Sequence, residues 1–459
     1  MKIKIPAGIT ASLTIIIIAA LALCACGPVN RPPVDPGIPQ ETSPAPTGGN
    51  TLPGDSSEDG TPGTADPADP AESDGTLDPT EQKIRSLMDS MTLEEKVGQM
   101  LFLAYRKGSD GRNVLYMDGE LGEFLERYSP GGFVLFAENL ESIEQTLSLV
   151  NGIQAGSRIP LFISIDEEGG IVSRLNKAPG LHSTVMPDAW TIGLTNNPGY
   201  AYKTAAAIAA ELLSIGFNMN FAPVADIFSN PANRVIGKRA YGSEPELVSE
   251  MVRQAVMGYR DWKIIPVLKH FPGHGDTEED THTGAAVVEH DLERLMDFEL
   301  VPFMEGIKAG ADAVMVAHVL LPELMEKPVP ATLSREVVTG LLREKLGFDG
   351  VVITDAMEMS AVSAFYDDEE SAVMAVMAGV DMLLMPGSVE KAFSAILDSV
   401  KNGVIPEARI DESVYRILRL KEKYGILDGG VQGPDPGLTL GSPEHRALAE
   451  EIKNAAGQR

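Results

Sequence analysis

Eight short apolar runs alternate with amphipathic helical stretches between residues 100 and 385, and polar groups recur just after five of those runs. Together these observations predict an α/β protein built as a single (β/α)8 TIM barrel. Strand–helix alternation favours a parallel sheet, and barrel sites gather at the C-terminal strand ends. An open, doubly wound sheet is the alternative, but no Gly-rich dinucleotide fingerprint follows the first run. The predicted strands are 100–103, 132–136, 161–165, 219–222, 266–269, 313–317, 351–354 and 382–385. The helical pattern falls on 120–128, 143–155, 200–213, 246–262, 292–309, 335–344 and 369–378, and continues past the last strand.

The chain has 459 residues, of which 44% are hydrophobic, enough for one large barrel with extensions. A net charge of −29 excludes nucleic acid as a partner, since a phosphate backbone requires a basic surface. Both cysteines, Cys24 and Cys26, lie near the N-terminus, so the body of the chain has no thiolate for catalysis or metal binding. Residues 1–26 carry Lys2 and Lys4 and then an apolar run over 13–23, the pattern of an export signal too short to span a membrane. Within it, Leu23-Cys24-Ala25-Cys26-Gly27 resembles a bacterial lipoprotein signal cleaved before Cys26, with lipid carried on that cysteine. An ordinary secretory signal is the alternative. The expected location is the outer face of the bacterial cytoplasmic membrane, with the membrane itself a partner through the lipid. Residues 27–80 are acidic and rich in Pro, Gly and Ser, so they cannot bury enough surface to offset their ordering entropy and should form a disordered tether. The barrel is assigned to 81–430 and a C-terminal tail to 431–459.

Polar residues mark one end of the predicted barrel. The third strand ends in Asp166-Glu167-Glu168-Gly169-Gly170, the fourth runs into Asp226, and the fifth delivers Lys269 and His270. His318 follows the sixth strand and Asp355 the seventh. One pocket explains five such strand ends better than five unrelated loops do. Asp355, fixed directly behind a strand, suits a nucleophile; the same position also suits the N-cap of a following helix. After the fifth strand, residues 269–282 collect three of the seven histidines.

Three stretches carry a family resemblance: Asp166-Glu167-Glu168-Gly169-Gly170-Ile171-Val172-Ser173-Arg174, Lys269-His270-Phe271-Pro272-Gly273-His274-Gly275-Asp276-Thr277, and Ile353-Thr354-Asp355-Ala356-Met357. They resemble glycoside hydrolase family 3. The loop ending Asp280-Thr281-His282 is similar to that of its β-N-acetylhexosaminidase (NagZ-type) branch. The resemblance implies a retaining glycosidase that acts on carbohydrate containing N-acetylglucosamine, from cell wall or chitin, and needs no cofactor or metal. It implies Asp355 as nucleophile and His282, paired with Asp280, as acid/base. Asp166, Arg174, Arg239, Lys269 and His270 become sugar-binding residues, with His318 lining the pocket floor. His274 and Asp276 are expected to hold the loop's shape, and His182, His290 and His445 to be surface residues. The dyad reads Asp-Thr-His where Asp-Ser-His is common, and Gly284-Ala285-Ala286-Val287 lacks a proline often present there.

Other readings use the same residues. A β-glucosidase or a β-N-acetylglucosaminide phosphorylase would share the scaffold. A metal-dependent hydrolase could recruit His270, His274, Asp276 and His282, but this would leave Asp355 without a role. A non-catalytic sugar-binding surface lipoprotein is the alternative from another functional class.

Overall fold

The computed structural model describes residues 78–178, 180–278, 284, 286–325, 327 and 329–458. The export signal with Cys26, residues 27–77 of the tether, and the pair Asp280 and His282 lie outside the described residues. The first described helix is Pro79–Asp89, which starts two residues before the expected barrel boundary.

Eight strands form one parallel sheet: β1 Leu101–Leu103, β2 Gly132–Val134, β3 Phe162–Ile165, β4 Met219–Asn220, β5 Ile265–Phe271, β6 Ala313–Val316, β7 Val351–Thr354 and β8 Leu383–Leu384. Their order is β7-β6-β5-β4-β3-β2-β1-β8. Thr354 N–H donates to the Met382 carbonyl at 3.0 Å and Met382 N–H to that of Val352 at 3.0 Å, bringing β7 against the approach to β8 and curling the sheet into a barrel. Every strand residue is buried, which is why the strands read as continuous apolar runs rather than alternating ones. Phe102, Phe162 and Phe221 pack together, with ring centroids 5.3–6.5 Å apart. Gly132 makes room for them: a Cβ there would lie 2.6 Å from the Phe102 ring.

Side-chain caps start many of the helices. Asp118, Ser142, Asp188, Asp291, Asp367 and Ser442 each accept a backbone N–H of the first turn. One predicted helix is corrected. Residues 292–309 form two helices, Leu292–Asp297 and Val301–Lys308, because Pro302 has no N–H to donate to residue 298 and its ring would clash with that carbonyl.

The segment read as a C-terminal tail contains the helix Pro443–Gly457, which buries Ala449 and Ile452. Glu211 ties this segment to helix Pro198–Ser214, accepting from Thr184 Oγ1 at 2.6 Å, Gly441 N–H at 3.1 Å and His445 Nδ1 at 2.9 Å. His445 is therefore a partnered, half-buried residue rather than an exposed one. At the other end of the barrel, buried Asp381 accepts from Val352 N–H at 2.9 Å and Ser413 Oγ at 2.7 Å and pairs with Arg343, fastening β7 to helix Glu407–Lys423.

That last helix also carries Lys421, fully buried, with Nζ 2.7 Å from Gln99 Oε1 and 5.2 Å from the centre of the Phe162 ring. Burial pushes its pKa well below the usual lysine value. The unfolded chain keeps the proton up to the ordinary value of 10.5, so it binds more protons than the folded chain and stability should rise with pH toward that value. Lys421→Met removes this dependence. Although it leaves Gln99 Oε1 without that donor, it should stabilise the protein by about 1–3 kcal/mol at neutral pH. Urea unfolding at pH 7 and pH 9.5 checks this: the variant should gain less than wild type between the two, and equal gains would refute it.

Candidate active site

The strand ends converge on a cavity of about 400 Å³ at the C-terminal mouth of the barrel. Its lining includes Asp166, Glu168, Arg174, Arg239, Lys269, His270, His274 and Asp355, with Phe136, Met359 and Met385 among the apolar walls. A larger hollow of about 840 Å³ lies near the strand beginnings, between residues 147–160 and the 424–436 segment. Its lining holds no histidine and no opposed carboxylates, so the chemistry belongs to the smaller cavity.

The turn after β3 is built on Glu167. This buried side chain accepts the N–H groups of Arg174 at 2.8 Å and Leu175 at 3.0 Å, while Asn220 bonds its backbone from β4. Burial pushes its pKa up to about 7, against the bonds it accepts from Ser173, Leu175 and Arg174. Gly169 and Gly170 take φ of 87° and 57°, and a Cβ on Gly170 would lie 2.4 Å from Asp188. The turn thereby presents Asp166 and Glu168 to the cavity and brings Arg174 back to Asp166, Nη2 to Oδ2 at 3.2 Å.

β5 supplies the opposing charges. Lys269, 2% exposed, donates to Asp166 Oδ1 at 2.9 Å and to Glu168 Oε1 at 2.6 Å. Arg239 grips Glu168 with two nitrogens, at 2.8 and 2.9 Å, and its Nη2 also faces His270 Nε2 at 3.1 Å. Asp226, fully buried behind β4, holds His270 Nδ1 at 2.6 Å and accepts the His274 N–H at 2.7 Å. Burial would raise the pKa of Asp166, Glu168 and Asp226, but Lys269 and Arg174 beside Asp166, Arg239 and Lys269 beside Glu168, and the bonds from His270 and His274 to Asp226 outweigh it, and all three are held below their ordinary values.

Asp355 stands across the cavity from this cluster, directly behind β7. Its N–H donates to the Val316 carbonyl at 2.9 Å and its Oδ1 accepts the Ala356 N–H at 2.8 Å. Burial works against its charge; His270, His318, the Ala356 amide and Lys269 outweigh burial and hold its pKa below the ordinary carboxylate value. The next helix, Ser360–Ser363, begins behind Met359, so Asp355 is not an N-cap.

Residues 92–420 match the model of the glycosyl hydrolase family 3 N terminal domain. The chain belongs to glycoside hydrolase family 3. It is 35% identical over 403 residues to a beta-hexosaminidase A of Pseudoalteromonas piscicida, covering 80% of this chain and 67% of that protein. A beta-N-acetylglucosaminidase/beta-glucosidase of Cellulomonas fimi is 29% identical over 380 residues, 80% of this chain and 64% of the other. Among solved structures, a family 3 beta-N-acetylglucosaminidase from Paenibacillus sp. str. FPU-7 superposes with a TM-score of 0.75 at 41% identity, covering 80% of this chain and 69% of that one. The chain thus spans about two thirds of the length of these relatives.

Of the family 3 residues expected from sequence, the structure gathers Asp166, Arg174, Arg239, Lys269, His270 and Asp355 around one cavity. His318 is placed differently. It is fully buried, with Nδ1 2.7 Å from Thr332 Oγ1 and Nε2 3.0 Å from the Ala356 carbonyl, behind the loop that carries Asp355 rather than on the cavity wall. His274 is buried against Thr277, Nδ1 to Oγ1 at 2.8 Å, and Asp276 accepts from Ser229 at 2.8 Å and pairs with His290 at 2.9 Å. Both hold the root of the loop, and His290 is half-buried rather than a bare surface residue.

Two organising carboxylates, Glu168 and Asp226, stood among the predicted strand-end residues but were given no role there. The adjacency of Glu168 to Asp166 in the motif, and the place of Asp226 after a strand, were the available signals. Among the described residues, no three His, Cys, Asp or Glu side chains converge as a metal site requires.

Proposed function

We propose that this chain is a retaining exo-β-N-acetylglucosaminidase that removes terminal, non-reducing N-acetyl-β-hexosamine residues. One observation carries the reading: an ionised, rigidly held Asp355 faces a cluster of paired, hydrogen-bonding groups across a cavity sized for a small ligand. The names of the Pseudoalteromonas and Paenibacillus relatives supply the N-acetylhexosamine.

In this mechanism Asp166, Lys269, Arg174 and Arg239 hold the ring hydroxyls. Asp355 attacks the anomeric carbon as the glycosidic bond breaks, and His282, supported by Asp280, gives its proton to the departing oxygen. His282 then takes a proton from water, the water oxygen displaces Asp355 from the sugar, and the starting configuration returns.

The name of the Cellulomonas relative favours a second reading, in which β-glucosides are also cleaved. Comparison of aryl β-N-acetylglucosaminide with aryl β-glucoside decides between them. We expect kcat/KM to favour the former by at least about tenfold; a preference for the glucoside would overturn the branch assignment. The same assay with added phosphate should yield free sugar and no sugar 1-phosphate, whereas the phosphate ester would mark a phosphorylase.

A further inference from the structure

We propose that Glu168 is a positioning residue that sets the enzyme's discrimination between sugar-hydroxyl configurations, by aiming the donors of Lys269 and Arg239. The proposal rests on the glycosidase reading above.

The donor count makes the case. A lysine ammonium has three N–H groups and an arginine guanidinium five. Lys269 spends one on Asp166 Oδ1 and one on Glu168 Oε1, which leaves one. Arg239 spends Nε–H and one Nη2–H on Glu168, turns the other Nη2–H toward His270 Nε2, and gives one Nη1–H to the Val235 carbonyl at 3.3 Å, which again leaves one. Glu168 thus receives three of the bonds that orient these two cations, more than any other group. It is 6% exposed and lines the cavity, so it meets little competing water.

The charges agree with the geometry. Asp166 and Glu168 are the carboxylates paired with Lys269, Arg174 and Arg239, and of the two only Glu168 contacts both Lys269 and Arg239. Without that carboxylate, Lys269 and Arg239 would swing toward Asp166 or repel each other, and their remaining N–H groups would no longer point to fixed places. A site with buried, fixed donors rejects a misplaced hydroxyl strongly, because the wrong sugar leaves those donors unpaired; a site with loose donors does not. Fixed donors should therefore show up as discrimination between epimers, beyond overall rate.

The test compares aryl β-N-acetylglucosaminide with its 4-epimer, aryl β-N-acetylgalactosaminide, for wild type and Glu168→Gln. We expect kcat/KM for the gluco substrate to fall about 100-fold and for the epimer less than about tenfold, so that the ratio between them narrows at least about tenfold. KM for the gluco substrate should rise more than kcat falls. Glu168→Asp keeps the charge but is one carbon shorter. It should restore part of the ratio, and it provides the same readout if the glutamine variant fails to fold. Equal losses for the two epimers, or an unchanged ratio in a folded variant, would overturn the proposal. If wild type instead prefers another glycoside, the functional reading fails, while the effect of Glu168 is still read on that sugar and its epimer.

Discussion

Asp355→Ala should abolish turnover, with a loss of about 10⁵-fold or more, while the fold survives. Loss of a covalent nucleophile removes the low-barrier route altogether rather than weakening one contact. Two backbone bonds hold the residue, one through its own N–H to Val316 and one into its carboxylate from Ala356, and the first persists in the alanine variant. Thr354 just before it accepts the Leu384 N–H at 2.8 Å, so the strand end is pinned independently of the aspartate. Its depressed pKa matters to the role: a carboxylate kept ionised suits attack on carbon, whereas a general acid needs a raised value. The measurement is single-turnover and steady-state hydrolysis, with melting temperature as the control for folding. Azide should enter the space left by the side chain and give a glycosyl azide of inverted configuration. Retained activity, or azide product of retained configuration, would remove Asp355 from the nucleophile role. Equal sugar binding by wild type and Asp355→Asn, with negligible turnover by both, would instead mean a sugar-binding protein.

The barrel was legible because its strands are buried on both faces. Runs such as Val351-Val352-Ile353-Thr354 admit few other readings, and each catalytic candidate could be placed by counting to the end of its strand. The breaks were harder. Pro302 splits a helix whose apolar period continues on both sides, and the period alone hides the break. In the site, residue types were readable but partners were not. Arg239 and Glu168 lie 71 positions apart, and nothing local tells that arginine to take Glu168 rather than Asp166. His318 shows the same limit: a histidine after a strand reads as a pocket residue until Thr332 and the Ala356 carbonyl are seen to occupy both ring nitrogens. Sequence spacing locates a pocket well, but it does not separate the groups that face it from the groups that hold those in place.

His282→Ala should slow substrates with poor leaving groups by about 10²–10⁴-fold, and activated aryl glycosides by less than about tenfold. The described parts of the loop frame this expectation. On one side, Gly275 lies so close to Ile227 that a Cβ would sit 1.7 Å from its carbonyl oxygen, and Asn233 bonds the His274 carbonyl at 2.7 Å. On the other side, Val288 N–H donates to Leu320 at 2.9 Å and Leu320 N–H to Ala286 at 2.8 Å. Both anchors belong to the mouth of the barrel, and the chain between them carries Asp280 and His282. An acid is needed only as far as the departing oxygen is basic: a nitrophenolate leaves without a proton, whereas a sugar alkoxide does not. A plot of log kcat/KM against leaving-group pKa should therefore be steeper for His282→Ala than for wild type. Asp280→Asn should steepen it less, because the imidazole remains and loses only its supporting charge. Parallel lines for wild type and His282→Ala would mean that the proton comes from elsewhere, and Glu358, exposed at the cavity rim, would be the first residue to replace in the same series.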